Sequence, residues 1–144
     1  MATEAERLAR FLAGDTPASE LSHREHVWLA WATLRRYDFA ESVYRYSRAL
    51  RAVAERAGRP EKFNQTQTIA FLSLIAERVA LGGGEDFEPF AREHPELFDA
   101  TVLARYYSRE RLSCPLAHRT FLLPGPHAAP ATARAAAARG ATAS

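Results

Sequence analysis

Two histidines, His23 and His26, stand three residues apart, and eight residues with Thr33 as their one polar member follow, Val27 to Leu34. Imidazole is the side chain that titrates nearest neutral pH and the commonest general acid or base. It is also a frequent ligand of zinc and other divalent ions. On a helix, residues three and four apart share a face. His23 and His26 would then lie on the stripe that continues through Val27, Ala30, Thr33, Leu34 and Tyr37, which should face the core. Three readings are open. The pair moves protons, or it holds a metal, or both rings are satisfied by hydrogen bonds near a helix end and fill space.

The element that must position them is a helix from His23 to about Arg36. Ser22 is a good N-cap, and Glu25 three residues on completes the Ser-x-x-Glu pattern of a capping box. That gives Glu25 a structural role and fixes His23 in the first helical position. Trp28 and Trp31 flank the stripe, so the helix is apolar over most of its circumference and is expected to be central.

A second polar helix start lies at Asn64-Gln65-Thr66-Gln67-Thr68, after Phe63 and before the apolar run Ile69 to Ile75. Such a run is a poor helix former, yet Asn64, Thr68, Phe71 and Ile75 share one helical face. If the two starts converge, they form a pocket of imidazole, amide and hydroxyl groups backed by Trp28, Trp31, Phe63 and Phe71. His23 or His26 would transfer protons there, with Asn64, Gln65 and Thr68 orienting the substrate. An aromatic lining suits a planar organic molecule. A metal would need a third ligand; Asn64 and Gln65 are poor ones, and nothing local supports His94, His118 or Glu77. Tyr106 to Arg111 is the other notable segment. Tyr106 or Tyr107 can offer a hydroxyl, and Arg105, Arg109 or Arg111 a guanidinium matched to carboxylate or phosphate; the alternative is core tyrosines with solvated arginines outside.

The periodicity around these segments predicts an all-α fold, a compact single-domain array of five to seven helices over 1–124. A short amphipathic helix spans 3–13, with Leu8, Phe11 and Leu12 on one side. Asp38 can cap a helix over 39–57, ended by Gly58 with Pro60 beyond. The next spans 61–80, and a short one spans 86–94. Pro95 starts another that continues to Tyr106-Tyr107. A turn or two follows Ser108, and Leu116 to Leu123 adds a last short helix. Gly82-Gly83-Gly84 lacks the context of a phosphate loop. From residue 125 to 144 the chain is mostly Ala, Pro, Gly, Thr and Arg, the composition of a disordered tail.

Composition narrows the function. The chain has 144 residues and a net charge of +2, and 18 of its 19 basic residues are arginine, the exception being Lys62. Acids are interspersed with them, so no basic stripe marks a nucleic-acid binder. No run approaches the roughly 18 apolar residues of a membrane span, and Met1 to Arg10 lacks an apolar signal core. A cytoplasmic protein with no membrane or nucleic-acid partner is expected. The one cysteine, Cys114, forbids an internal disulfide and reads as a half-buried thiol.

Ser22-His23-Arg24-Glu25-His26-Val27, Trp31-Ala32-x-Leu34-Arg35-Arg36-Tyr37, Pro60-Glu61-Lys62-Phe63-Asn64-Gln65-Thr66-x-Thr68, His94-Pro95-Glu96-Leu97 and Tyr106-Tyr107-Ser108-x-Glu110-Arg111-Leu112 form a spaced set over roughly 20–124. The set resembles a family of small bacterial helical proteins, mostly uncharacterised. Its usual motif before the apolar run is Tyr-His-Glu-Thr, and here Asn64 and Gln65 replace His and Glu. If the family holds a metal through three histidines, this chain lacks one ligand. The chain also resembles the small Pictet–Spenglerases of bacterial natural-product pathways, the streptonigrin type. That resemblance implies condensation of a tryptophan-type amine with an aldehyde to a β-carboline, with no cofactor and with His23 and His26 as catalytic groups. It implies Trp28, Phe63, Asn64, Gln65, Thr68, Phe71, Tyr107 and Arg109 around the substrates. A homodimer is compatible with it. A divalent-metal enzyme using His23 and His26, and a non-catalytic small-molecule binder, are the alternatives.

Overall fold

The computed structural model describes residues 2–82 and 85–125. The expected tail from residue 126 onward, and Gly83 and Gly84, lie outside the described residues. Seven helices follow in order, and no strand occurs among the described residues: α1 Glu4–Leu12, α2 His23–Arg36, α3 Phe39–Arg56, α4 Gln65–Ala80, α5 Phe87–Glu93, α6 Arg109–Ser113 and α7 Pro115–Arg119. They form one compact domain around a continuous core. None of the helices is long and apolar enough to cross a membrane.

The first helices start on side-chain caps. Thr3 and Glu6 make a full capping box at α1. Asp38 accepts the Glu41 N–H at 2.8 Å to start α3. At α2, Ser22 accepts the Glu25 N–H at 3.1 Å, but the reciprocal half of the expected box is missing. The Glu25 carboxylate instead takes both oxygens to Arg7 of α1, at 2.6 and 2.8 Å. Two charge-assisted contacts, both from Arg7 Nη2, outcompete a single bond to a backbone N–H. Gly14, with φ +79, turns the chain out of α1, and a Cβ there would sit 2.9 Å from the Ala52 Cβ. Only glycine fits both demands.

Helix α2 is central, as its composition predicts. Val27, Trp28, Leu29, Ala30, Trp31 and Thr33 are all buried, against α1, α3 and α4. Phe11 packs on Tyr46 at 5.1 Å, and Trp31 meets Phe87 edge-on at 5.3 Å. Leu29, Leu72 and Ile75 are fully buried; each such side chain contributes roughly 1.5–3 kcal/mol of transfer free energy.

Three expected helices are shorter than periodicity suggests. The one expected over Leu116 to Leu123 spans only Pro115–Arg119, with Thr120 extended. The helix expected over 61–80 begins at Gln65; Pro60–Lys62 is a separate 3-10 turn, and Phe63 is extended. Asn64 is the reason, since its side chain caps α4 by accepting the Gln67 N–H at 2.9 Å. The helix expected from Pro95 to Tyr107 is instead two 3-10 turns, Pro95–Phe98 and Val102–Arg105. Asp99 separates them: its carboxylate accepts both the N–H and the hydroxyl of Thr101, at 2.8 and 2.7 Å. Such a side-chain turn competes directly with helical bonding.

Candidate functional site

The two polar helix starts converge. The N-terminal turns of α2 and α4 line a cavity of about 520 Å³, within the size range of small-molecule sites. His23 and His26 form one wall, and Phe63, Asn64, Gln67, Thr68 and Phe71 form another. Tyr46, Leu50 and Val53 of α3 make the floor, and Val102 and Leu103 close the side contributed by the second half of the chain.

Each imidazole is held by a defined bond. His23 Nε2 lies 2.8 Å from the Leu97 carbonyl, and its ring packs against Phe71 with centroids 5.5 Å apart. His26 Nδ1 lies 3.2 Å from the Tyr46 hydroxyl, which in turn donates to the His26 carbonyl at 3.3 Å. Burial holds His26 below its ordinary value of 6.5, and the neighbouring His23 pushes it further down, with Glu25 opposing weakly. His26 is therefore neutral at neutral pH and can accept a proton. Burial also raises the Tyr46 phenol, so it stays protonated.

The other expected substrate contacts divide. Asn64, Thr68, Phe63 and Phe71 line the cavity. Asn64, however, is occupied structurally: its oxygen caps α4, and its Nδ2 donates to the Leu112 carbonyl at 2.7 Å. Thr68 spends its proton on the Asn64 carbonyl at 2.7 Å and keeps only acceptor capacity toward the cavity. Five expected residues lie outside. Trp28 is two positions from His26, which turns it away on the helix, and the Arg7 guanidinium covers its ring at 4.1 Å. Trp31, expected to back the pocket, packs on Phe87 and Phe90 instead. Gln65 is the first residue of α4 and does not line the cavity. Tyr107 is buried with its hydroxyl on the Leu122 carbonyl at 2.8 Å, and Arg109 is exposed at the start of α6.

The cationic groups at the cavity are Arg59 and Lys62, one just before and one at the end of the Pro60–Lys62 turn. Arg59 Nε pairs with Glu61 at 2.7 Å, leaving its terminal nitrogens for other partners. Sequence reasoning missed these two, along with Tyr46 and Gln67. The sequence signal for Lys62 was its status as the one lysine of the chain. No Asp or Glu is among the lining residues.

The donor set does not suit a protein-held metal. Among the described residues no group of three or more His, Cys, Asp or Glu side chains gathers in metal-binding fashion. His94 sits against Glu96 and Phe90 instead, and the His118 ring meets the Cys114 carbonyl within α7. His23 and His26 alone fall short of the three protein ligands of a catalytic zinc site.

No protein family, curated protein or solved structure matches this chain.

Proposed function

We propose that the cavity is the active site of a small enzyme that performs acid–base chemistry on an aromatic substrate, using its own side chains. The observation that carries this reading is the pair of held imidazoles facing Phe63 and Phe71 in one cavity, with His26 neutral at physiological pH. A base with a depressed pKa, beside a second imidazole able to carry the proton, is the arrangement proton transfer requires.

Charge narrows the substrate. Arg59 and Lys62 offer a seat for a carboxylate, a role expected of Arg109 from sequence. With two cations and no carboxylate at the cavity, a bound amine is favoured in its neutral, nucleophilic form. An aromatic amino acid fits both conditions. The reaction proposed is its condensation with an aldehyde. The amine nitrogen attacks the aldehyde carbon and water leaves. A proton relayed through His23 to the imine nitrogen makes the iminium. The indole carbon then bonds to the iminium carbon, and the C=N electron pair returns to nitrogen. His26 removes the ring proton, which restores aromaticity. One proton enters from His23 and one leaves to His26, so the pair is reset by transfer between them.

Incubation of the protein with L-tryptophan and a panel of aldehydes, read by mass spectrometry, tests the reading. A product equal to amine plus aldehyde less one water, formed by the wild type and lost in His26→Gln, is the expected result. No turnover with any pair, while aromatic acids still bind, would favour a non-catalytic binding protein. Stoichiometric metal in the purified protein would favour the metal-dependent alternative.

A further inference from the structure

We propose that Tyr46 is a positioning residue that fixes the His26 tautomer, so that His26 presents its Nε2 lone pair while His23 is held in the opposite tautomer. The claim rests on the reading of His26 as the base, but it concerns the resting protein and is tested without substrate.

The argument is an accounting of protons. A carbonyl oxygen only accepts hydrogen bonds. His23 Nε2 lies 2.8 Å from the Leu97 carbonyl, so that nitrogen must carry the proton. The lone pair of neutral His23 is then on Nδ1. At His26 the Tyr46 hydroxyl faces two groups, Nδ1 at 3.2 Å and the His26 carbonyl at 3.3 Å. The hydroxyl has one proton. If it pointed to Nδ1, two oxygens would face each other at 3.3 Å with no proton between them. If it points to the carbonyl, Nδ1–H donates to the hydroxyl and both contacts are satisfied. The second arrangement leaves Nε2 of His26 as the acceptor.

Tyr46 can hold this geometry because it cannot move or ionise. It is 2 % exposed, and Phe11 packs on its ring. The bond made by one ring nitrogen sets the chemistry of the other. Leu97, 74 residues away from His23, plays the matching part for the first histidine. The two imidazoles therefore keep distinct atoms for the proton relay, Nδ1 on His23 and Nε2 on His26.

The test is 15N–1H NMR of the imidazole nitrogens at about pH 8, above the ordinary imidazole value of about 6.5, with His26→Gln used to assign the signals. In the wild type, His26 should show a protonated Nδ1 and an unprotonated Nε2, and His23 the reverse. In Tyr46→Phe, His26 should shift toward the Nε2–H tautomer while His23 keeps its own. Turnover on a substrate identified as above should then fall in kcat with KM little changed, by no more than the roughly 100- to 10,000-fold that positioned proton transfer supplies. The wild-type spectrum decides the matter even if Tyr46→Phe does not fold. An Nε2–H tautomer at His26 in the wild type, or an unchanged tautomer in a folded Tyr46→Phe, overturns the proposal. A spectrum as expected with no turnover on any substrate leaves it standing and removes the catalytic reading alone.

Discussion

His26 joins chemistry to stability in one side chain. Burial and the neighbouring His23 lower its pKa in the folded protein below 6.5, while the unfolded chain keeps the ordinary value. Below 6.5 the unfolded state then binds more protons than the folded one, so stability rises with pH across that window. The expected outcome is a loss of stability as pH falls from 6.5 through the folded pKa, levelling off below it. Urea unfolding at a series of pH values measures this, and His26→Gln should flatten that part of the curve. A slope unchanged by the substitution would mean that another group carries it. The imidazole pair was legible from spacing alone; its partners were not. Tyr46 sits among apolar residues at helical spacing and reads as core, which it is. That its hydroxyl meets His26 depends on how α3 crosses α2, and no local pattern encodes a crossing.

At the level of elements, Asn64 does two jobs that residue type alone suggests only in part. It caps α4, and it ties the same turn to Leu112 near the end of α6. Asn64→Ala removes the cap, at about 1 kcal/mol, and strands the Leu112 carbonyl, at roughly 1–3 kcal/mol. Asn64→Asp keeps the capping oxygen but turns a donor toward Leu112 into an acceptor. Both variants should be destabilised in denaturant titrations, and a near-neutral Asn64→Asp would show that the Leu112 bond matters little. Helix limits were readable where caps are local, as at Ser22 and Asp38. They were misread at Glu25 and over 95–107. Arg7, 18 residues upstream, claims the Glu25 carboxylate, and Asp99 bonds its own neighbour to break an otherwise helical pattern. The expected pocket residues divide in the same way. Asn64, Thr68 and Phe71 followed from helical register and Phe63 from its place just before them, whereas Trp28, expected to back the pocket, turned out to lie under Arg7 of α1.

The whole molecule is closed by its last described segment. Thr66 of α4 donates to the Thr120 carbonyl at 2.7 Å and accepts the Leu122 N–H at 3.0 Å. Tyr107 holds the Leu122 carbonyl, and Arg111 holds that of Leu123 at 2.7 Å. Thr66→Val keeps the volume and loses two bonds, for an expected cost of about 1–3 kcal/mol. Tyr107→Phe should cost about 1 kcal/mol. Because both act on the same four residues, the double variant should cost less than the sum. Strict additivity in a double-mutant cycle would mean that the segment is not held as a unit. The all-α architecture was legible because helical periodicity is local. This closure was not, because it runs through a threonine and a tyrosine that resemble any others in the sequence.

The contact between His23 and Leu97 also sets an order of assembly. Helices α1 to α4 are complete in sequence by Ala80 and contact one another. The cavity needs what comes later: Leu97 holds His23, and Val102 and Leu103 supply a wall. On the ribosome, α2 and α4 are therefore both synthesised before the site can exist. A nascent chain that ends short of Leu97 already contains both histidines, but it has neither the acceptor that orients the first nor the wall that Val102 and Leu103 supply.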